Sequence, residues 1–243
     1  MRPVAKRGSL FLDSDNSYIS RVYGYSVLGM PLTVILPTRS AVKPGLIIAG
    51  IHGCEPDTTV VVSAALRMRS SFGLWAVILC ANPDGLTLGT RGNARGVDLN
   101  RNFPSSTWSC DTVMHRWTLE CPQEVELSSG SAPASEPETA ALLSLIYDLD
   151  PPVIISVHGP LGVINGFKNS PLTIYLSEQS KLPIEENLGY ETPGSFGTFC
   201  DEISLQNVTY ELPRHSIELL MINHATVFAT IMDKPPTDFT HKQ

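Results

Sequence analysis

Along the chain, short apolar runs alternate with stretches of helical period. "PLTVILPT", "GLIIAGI", "LWAVILCAN", "PVIISVHG", "LTIYL" and "NVTYEL" are rich in β-branched residues and bounded by Gly, Pro and Asn, so they read as strands. Several are apolar at successive positions, which a strand covered on both faces requires. Helices belong between them. Pro56 to Ser71, "PDTTVVVSAALRMRSS", opens with a proline and an aspartate that suit a helix N-terminus. "SEPETAALLSLIYDLD" predicts a capping box, Ser135 capping the Glu138 amide while Glu138 reaches back. Leu142, Leu145, Ile146 and Leu149 follow at helical spacing. A last helix is expected from about Ser216 to Met232. The pattern predicts an α/β fold with a mixed, largely parallel central sheet and helices on both faces.

From about Pro83 to Pro133 the periodicity is lost, and the stretch runs into the small-residue segment "SSGSAPAS". Loops this long inside a compact domain are usually functional or disordered. This one contains "NARGVDLNRNFP", which argues for function. No internal repeat is present.

At 243 residues, 42% of them hydrophobic, the chain can bury a large core, and one domain over 1–243 is expected. Lys and Arg total 17 against 24 for Asp and Glu, a net charge of -7, which argues against a nucleic-acid partner. The N-terminal "MRPVAKRGSLFLDSDNSY" has only "LFL" as an apolar cluster, far short of a secretory core. No later run is long enough to span a bilayer, so no membrane partner is expected. Five cysteines form no CxxC pair, and their odd number suits a reducing compartment. The expectation is a cytoplasmic protein in which Cys110 and Cys121 pair only if oxidised.

His52 follows "GLIIAG", His158 ends "VIISVH" and Glu211 follows "NVTY". All three are therefore expected at the carboxyl ends of strands, where open α/β sheets bind ligands. His52 and Glu55 sit three apart, so both can face one point, and His158 would complete a set of two histidines and one carboxylate. That donor class leaves a zinc ion one open position. Taken alone, the His52–Glu55 pair reads as a coincidence, since such pairs are common by chance, and a lone histidine is more often a hydrogen-bonded core residue. His115, His215, His224 and His241 lack a comparable context and are read as structural. In "GVDLNRNFP" the guanidinium of Arg101 and the amide of Asn100 suit the grip of a carboxylate. An ordinary polar loop with Arg101 paired to Asp98 is an equal alternative.

These fragments together resemble the zinc metallocarboxypeptidases. "HGCE" resembles their metal turn, "GVDLNRNF" their carboxylate-binding segment, "SVHG" the strand end with the third ligand, and "TYELPR" the strand with their catalytic glutamate. The resemblance implies one Zn2+ per chain held by His52, Glu55 and His158. It implies Glu211 as the base toward the attacking water and later the acid toward the leaving amine. Arg91 would stabilise the oxyanion, Asp98 would orient His52, and Asn100 with Arg101 would hold a substrate carboxylate. "NPDG", "SEPET" and "GYETPGSFG" are similar to those members of the family that cut murein tripeptide. They imply hydrolysis of the γ-D-glutamyl–meso-diaminopimelate bond, in peptidoglycan recycling. Specificity would lie in 189–197, with Glu191, Thr192 and Ser195 as polar candidates. A homodimer is compatible with the sequence. The alternatives are an aspartoacylase or succinylglutamate desuccinylase-like deacylase, and an inactive binder of cell-wall peptide.

Overall fold

The computed structural model describes residues 18–37, 42–68, 73–116 and 124–240. In chain order the elements are β1 (Tyr18–Tyr25), β2 (Pro31–Pro37), β3 (Gly45–Ile48), α1 (Pro56–Arg67), β4 (Trp75–Ile78) and α2 (Pro83–Leu88). A hairpin of β5 (Val113–Arg116) and β6 (Glu124–Leu127) follows, then α3 (Pro137–Leu149), β7 (Val153–His158) and β8 (Ile164–Asn165). The chain continues through α4 (Pro171–Ser180), β9 (Ile184–Glu185), α5 (Phe196–Glu202), β10 (Gln206–Glu211), α6 (Ile217–Leu220) and α7 (Thr226–Ile231).

Eight of these strands form one sheet in the order β1-β2-β4-β3-β7-β10-β8-β9. Its centre, β4-β3-β7-β10, is parallel, while β2 joins β4 and β8 joins β10 antiparallel. The continuous apolar runs are explained by the two cores. Side chains alternate across a strand, so Leu46 and Ile48 pack with α3 and α5, whereas Ile47 packs on the opposite face with α1, α4 and α7. Leu142, Leu145 and Ile146 are buried as their spacing predicts.

Two expectations are corrected. "LTIYL" is not a strand but the first half of α4. Ser170 accepts from the Thr173 N–H, and Pro171 opens the helix, so start signals override β-branched content. Leu172 and Leu176, four apart, then share the buried face. The capping box at α3 does not form: the N-cap is Glu136 without a side-chain cap bond. Ser135 Oγ donates instead to Glu136 Oε1, and Glu138 turns inward, because buried N–H groups elsewhere claim it. The last helix runs through the expected span, interrupted by a π-helical segment at Met221–Ala225. Cys110 is exposed, and Cys121 lies outside the described residues.

Candidate active site

The strand order brings together what the sequence separates. β7 lies between β3 and β10, and Glu211 stands directly opposite His158 in the parallel register. Just beyond β3, Gly50 takes φ +66°, a conformation that L side chains rarely adopt. At Gly53 a Cβ would come within 1.9 Å of the Gly85 backbone, so the turn carrying His52 packs bare backbone against α2. Asn82 ties the two together, donating from its backbone N–H to Gly50 O and from its side chain to Ile51 O. Pro56 and Thr58 start α1 behind the turn, with Thr58 Oγ1 donating to Glu55 O.

Three donors therefore converge. His52 Nδ1 lies 2.8 Å from Glu55 Oε1 and 3.2 Å from His158 Nδ1, and His158 Nδ1 lies 3.3 Å from Glu55 Oε2. Ligand atoms around a tetrahedral zinc, at the usual metal–nitrogen distance, stand about 3.3 Å apart. The donor set thus has the spacing of a zinc site, and His52, Glu55 and His158 form a group that could hold a metal ion. The electrostatics agree. Burial, and next Arg91, oppose charge on His52, yet Glu55 and Asp98 outweigh them and raise its pKa. Burial alone would raise the Glu55 carboxyl, but the two histidines pull it far below the usual range. The point between the ligands favours positive charge.

Asp98 is fully buried and shared. It lies 3.2 Å from His52 Nε2, accepts from Arg91 Nε at 2.8 Å and from the Asn100 N–H at 2.9 Å. A carboxylate only accepts, so His52 keeps its proton on Nε2 and presents the Nδ1 lone pair to a metal. Burial works against the Asp98 charge, and Arg91 and His52 more than offset it, holding its pKa well below the ordinary value. Arg91 also donates from Nη1 to Glu55 Oε1 at 3.2 Å. The alternative pairing of Arg101 with Asp98 is not what forms.

Arg101 is 6% exposed; its Nη1 donates to Asn100 O and its Nε is buried without a partner. Burial lowers its pKa. A guanidinium so placed, with no ion pair among the described residues, is suited to an anion arriving from outside. The Asn100 Oδ1 accepts from the Phe196 N–H at 2.9 Å, which fixes its amide beside Arg101. Glu211 is 7% exposed, its Oε2 is buried without a partner, and burial raises its pKa.

All eight of these side chains line one cavity of about 990 Å³. Of the polar candidates in 189–197, Ser195 caps α5 by accepting from the Thr198 N–H, and Thr192 donates to Ser195, while Glu191 lines the cavity. Tyr190, passed over in the sequence, also lines it; burial and then Glu211 raise its phenol. Its place inside the flagged segment was the available signal. Of the four histidines read as structural, His224 fits, bonded to the buried Tyr210 hydroxyl at 2.7 Å. His115 and His215 line the cavity instead, and burial with Arg91 pushes His115 down to about 4. His241 lies outside the described residues.

Fold and site describe a hydrolase-type centre: a parallel strand edge with three metal-competent donors, a buried carboxylate and a buried guanidinium around one cavity. Comparison with known proteins agrees. Residues 73–188 match the zinc carboxypeptidase family. Murein peptide amidase A of Escherichia coli K12 is 38% identical over 239 residues, 98% of this chain and 96% of the relative. Its namesake from Vibrio campbellii is 40% identical over 216 residues, covering 88% and 87%. The crystal structure of murein-tripeptide amidase from Escherichia coli O157 superposes with a TM-score of 0.85 at 38% identity, over 97% of this chain and 98% of that one. Bovine thrombin-activatable fibrinolysis inhibitor shares the fold, at TM-score 0.68 and 19% identity, over 88% and 89%. This chain belongs to the zinc carboxypeptidase family and is an enzyme of that type.

Proposed function

We infer that the chain is a zinc-dependent amidase that hydrolyses the bond between γ-D-glutamate and meso-diaminopimelate in murein tripeptide. The observation that carries this reading is the buried, anion-seeking Arg101 opening onto the cavity that holds the three-donor centre. Near-full-length similarity to proteins named murein peptide amidase A supports the substrate. His52, Glu55 and His158 would hold one zinc per chain. Bound zinc polarises a carbonyl and brings the pKa of water to about 7.

The remaining work falls to the chain's own groups. Arg101 and Asn100 hold the free carboxylate on the L-centre of diaminopimelate, which makes the reaction an exopeptidase cut. Glu211 accepts the proton of the attacking water and returns it to the departing amine nitrogen, so the carboxylate is regenerated. Arg91, fixed by Asp98 and Glu55 through Nε and Nη1, directs its remaining N–H donors at the developing oxyanion. Asp98 keeps His52 in register. The span 1–243 acts as one catalytic unit, in a reducing compartment during recycling of cell-wall peptides.

A small peptide panel read by mass spectrometry tests this reading. Murein tripeptide is expected to outrank its lysine analogue, its diaminopimelate-amidated analogue and ordinary C-terminal dipeptides in kcat/KM. Equal rates on the lysine analogue would leave a general metallocarboxypeptidase. Cleavage of N-acyl amino acids alone would mark a deacylase, and zinc-loaded protein without turnover a binder.

A further inference from the structure

Beneath the loop that carries Arg91 lies a set of buried polar groups that the metal centre does not explain. Asn93, 2% exposed, stands at its middle. Its Oδ1 accepts from the Arg95 N–H at 3.0 Å and the Val97 N–H at 3.2 Å. Its Nδ2 donates to Glu136 Oε2 at 2.8 Å and to Glu138 Oε2 at 3.0 Å. A side-chain amide has two donors and two acceptor lone pairs, and here all four are used. The backbone closes the same turn: the Asn93 N–H donates to Val97 O, and the Gly96 N–H to Asn93 O.

The anchor is itself rigid. Glu136 and Glu138, 3% and 2% exposed, sit at the start of α3, and Glu138 also accepts from the Val27 N–H beyond β1. Two buried carboxylates therefore converge on one neutral amide. The ion pair found there is with Arg95, 56% exposed and 3.5 Å from Glu136. Only a neutral double donor suits the position, since a carboxylate at 93 would put a third negative group beside two. Two residues before Asn93 lies Arg91, and five after it lies Asp98, the partner of Arg91 at 2.8 Å.

We propose that Asn93 is a positioning residue for hydrolysis, fixing the Arg91 loop on the carboxylates of α3 so that the guanidinium is preset for the oxyanion. The inference rests on the reading of Arg91 given above. It acts through Arg91 and not through the metal or the carboxylate grip, and that separates it from a plain structural role.

The test is a double-mutant cycle on zinc-loaded enzyme with murein tripeptide. Arg91→Ala is expected to lower kcat by about 10²–10³. Asn93→Ala should lower kcat by about 10–100-fold, with KM within about threefold and zinc still stoichiometric. In the Arg91→Ala background, Asn93→Ala should remove less than about threefold more, because the residue it positions is gone. Asn93→Asp should be at least as damaging as Asn93→Ala. Asn93→Asp combined with both Glu136→Gln and Glu138→Gln exchanges donor and acceptor at every contact of the side chain with α3 and should recover much of the kcat lost to Asn93→Asp. Equal losses in both backgrounds, a loss carried by KM, or no recovery in the exchanged triple variant would each overturn the proposal. So would failure of both Asn93→Ala and the exchanged triple variant to fold, which would make the cluster scaffold only. Wild-type kcat in Arg91→Ala alone would instead sink the reading of Arg91.

Discussion

His158 and Glu211 are delivered by the last residues of two hydrogen-bonded parallel strands. Arg91, Asp98, Asn100 and Arg101 ride on a segment whose one regular piece is a 3-10 turn at Leu99–Arg101. Both groups reach the same cavity, yet they are held by different means. The strand ends inherit their positions from ladder register and from apolar cores on both faces of the sheet. The loop sinks Val97 and Leu99 into the core, but its functional side chains are held by buried polar bonds: Asn93 to α3, Asp98 to Arg91 and His52, Asn100 to the start of α5. Register fixes a residue to a lattice, whereas a polar network fixes it only as well as its weakest bond. The strand-end groups should therefore fail outright when removed, and the loop groups should fail by degrees.

The largest expected effect is at the strand end. His158→Ala should lose stoichiometric zinc and all measurable turnover, read by metal analysis of the purified protein beside an activity assay. Tight zinc with retained turnover would show that β7 does not supply a ligand. Glu211→Gln comes next. It shares the register position but should keep zinc while losing about 10²–10⁴ in kcat, because an amide cannot take the proton. A variant with normal kcat would remove Glu211 from the chemistry and leave that strand end with the metal alone.

The same division governs what could be read from the sequence. His158 and Glu211 are legible because an apolar run ending in a chemically capable residue is local and parallel neighbours bring the ends together, whereas His52 and Glu55, on the turn after such a run, gain weight only beside the other motifs. Arg91 and Asp98 were reachable only by resemblance, since nothing local says that residues seven apart in a loop will close on each other and on His52. The capping box failed for a related reason. Glu138 fits the motif, but Val27 and Asn93, remote in sequence, outbid the nearby backbone. "LTIYL" reads as a strand because its side chains suit one, but the cap at Ser170 and Pro171 that precedes it starts a helix. Tyr190 carries no sequence signal of its own, because a half-buried phenol in a loop leaves no periodic trace.

Asp98 is where the comparison can be broken, as a loop residue that touches His52 on the turn beyond β3. Asp98→Asn is nearly isosteric, but an amide nitrogen facing His52 Nε2 or Arg91 Nε would meet a donor with a donor. Zinc affinity should fall about 10–100-fold, measured by competition with a chromophoric chelator, and kcat should fall in the zinc-saturated enzyme as Arg91 loosens. Unchanged zinc affinity with reduced kcat would mean that the loop serves Arg91 alone and that the turn packed on α2 by itself holds His52.

The smallest effect tests whether a buried polar anchor matters to function wherever it lies. Ser170, 2% exposed, caps α4 through the Thr173 N–H at 3.5 Å and accepts from Gln206 Nε2 at 2.8 Å. Gln206 begins β10, whose far end is Glu211, so a route from this cap to the site exists on paper. Ser170→Ala removes both bonds, but Gln206 keeps its donation to Phe239 O at 2.8 Å, and the β10 ladder is untouched. Loss of such a cap costs about 1 kcal/mol, which in a domain of this size lowers Tm by about 2–4 °C. Calorimetry should show that drop while kcat and KM stay within about twofold, since register transmits little of a local bond lost at a strand's start. A kinetic loss larger than the stability loss would place Ser170 with Asn93 and erase the distinction between the two ways of holding the site.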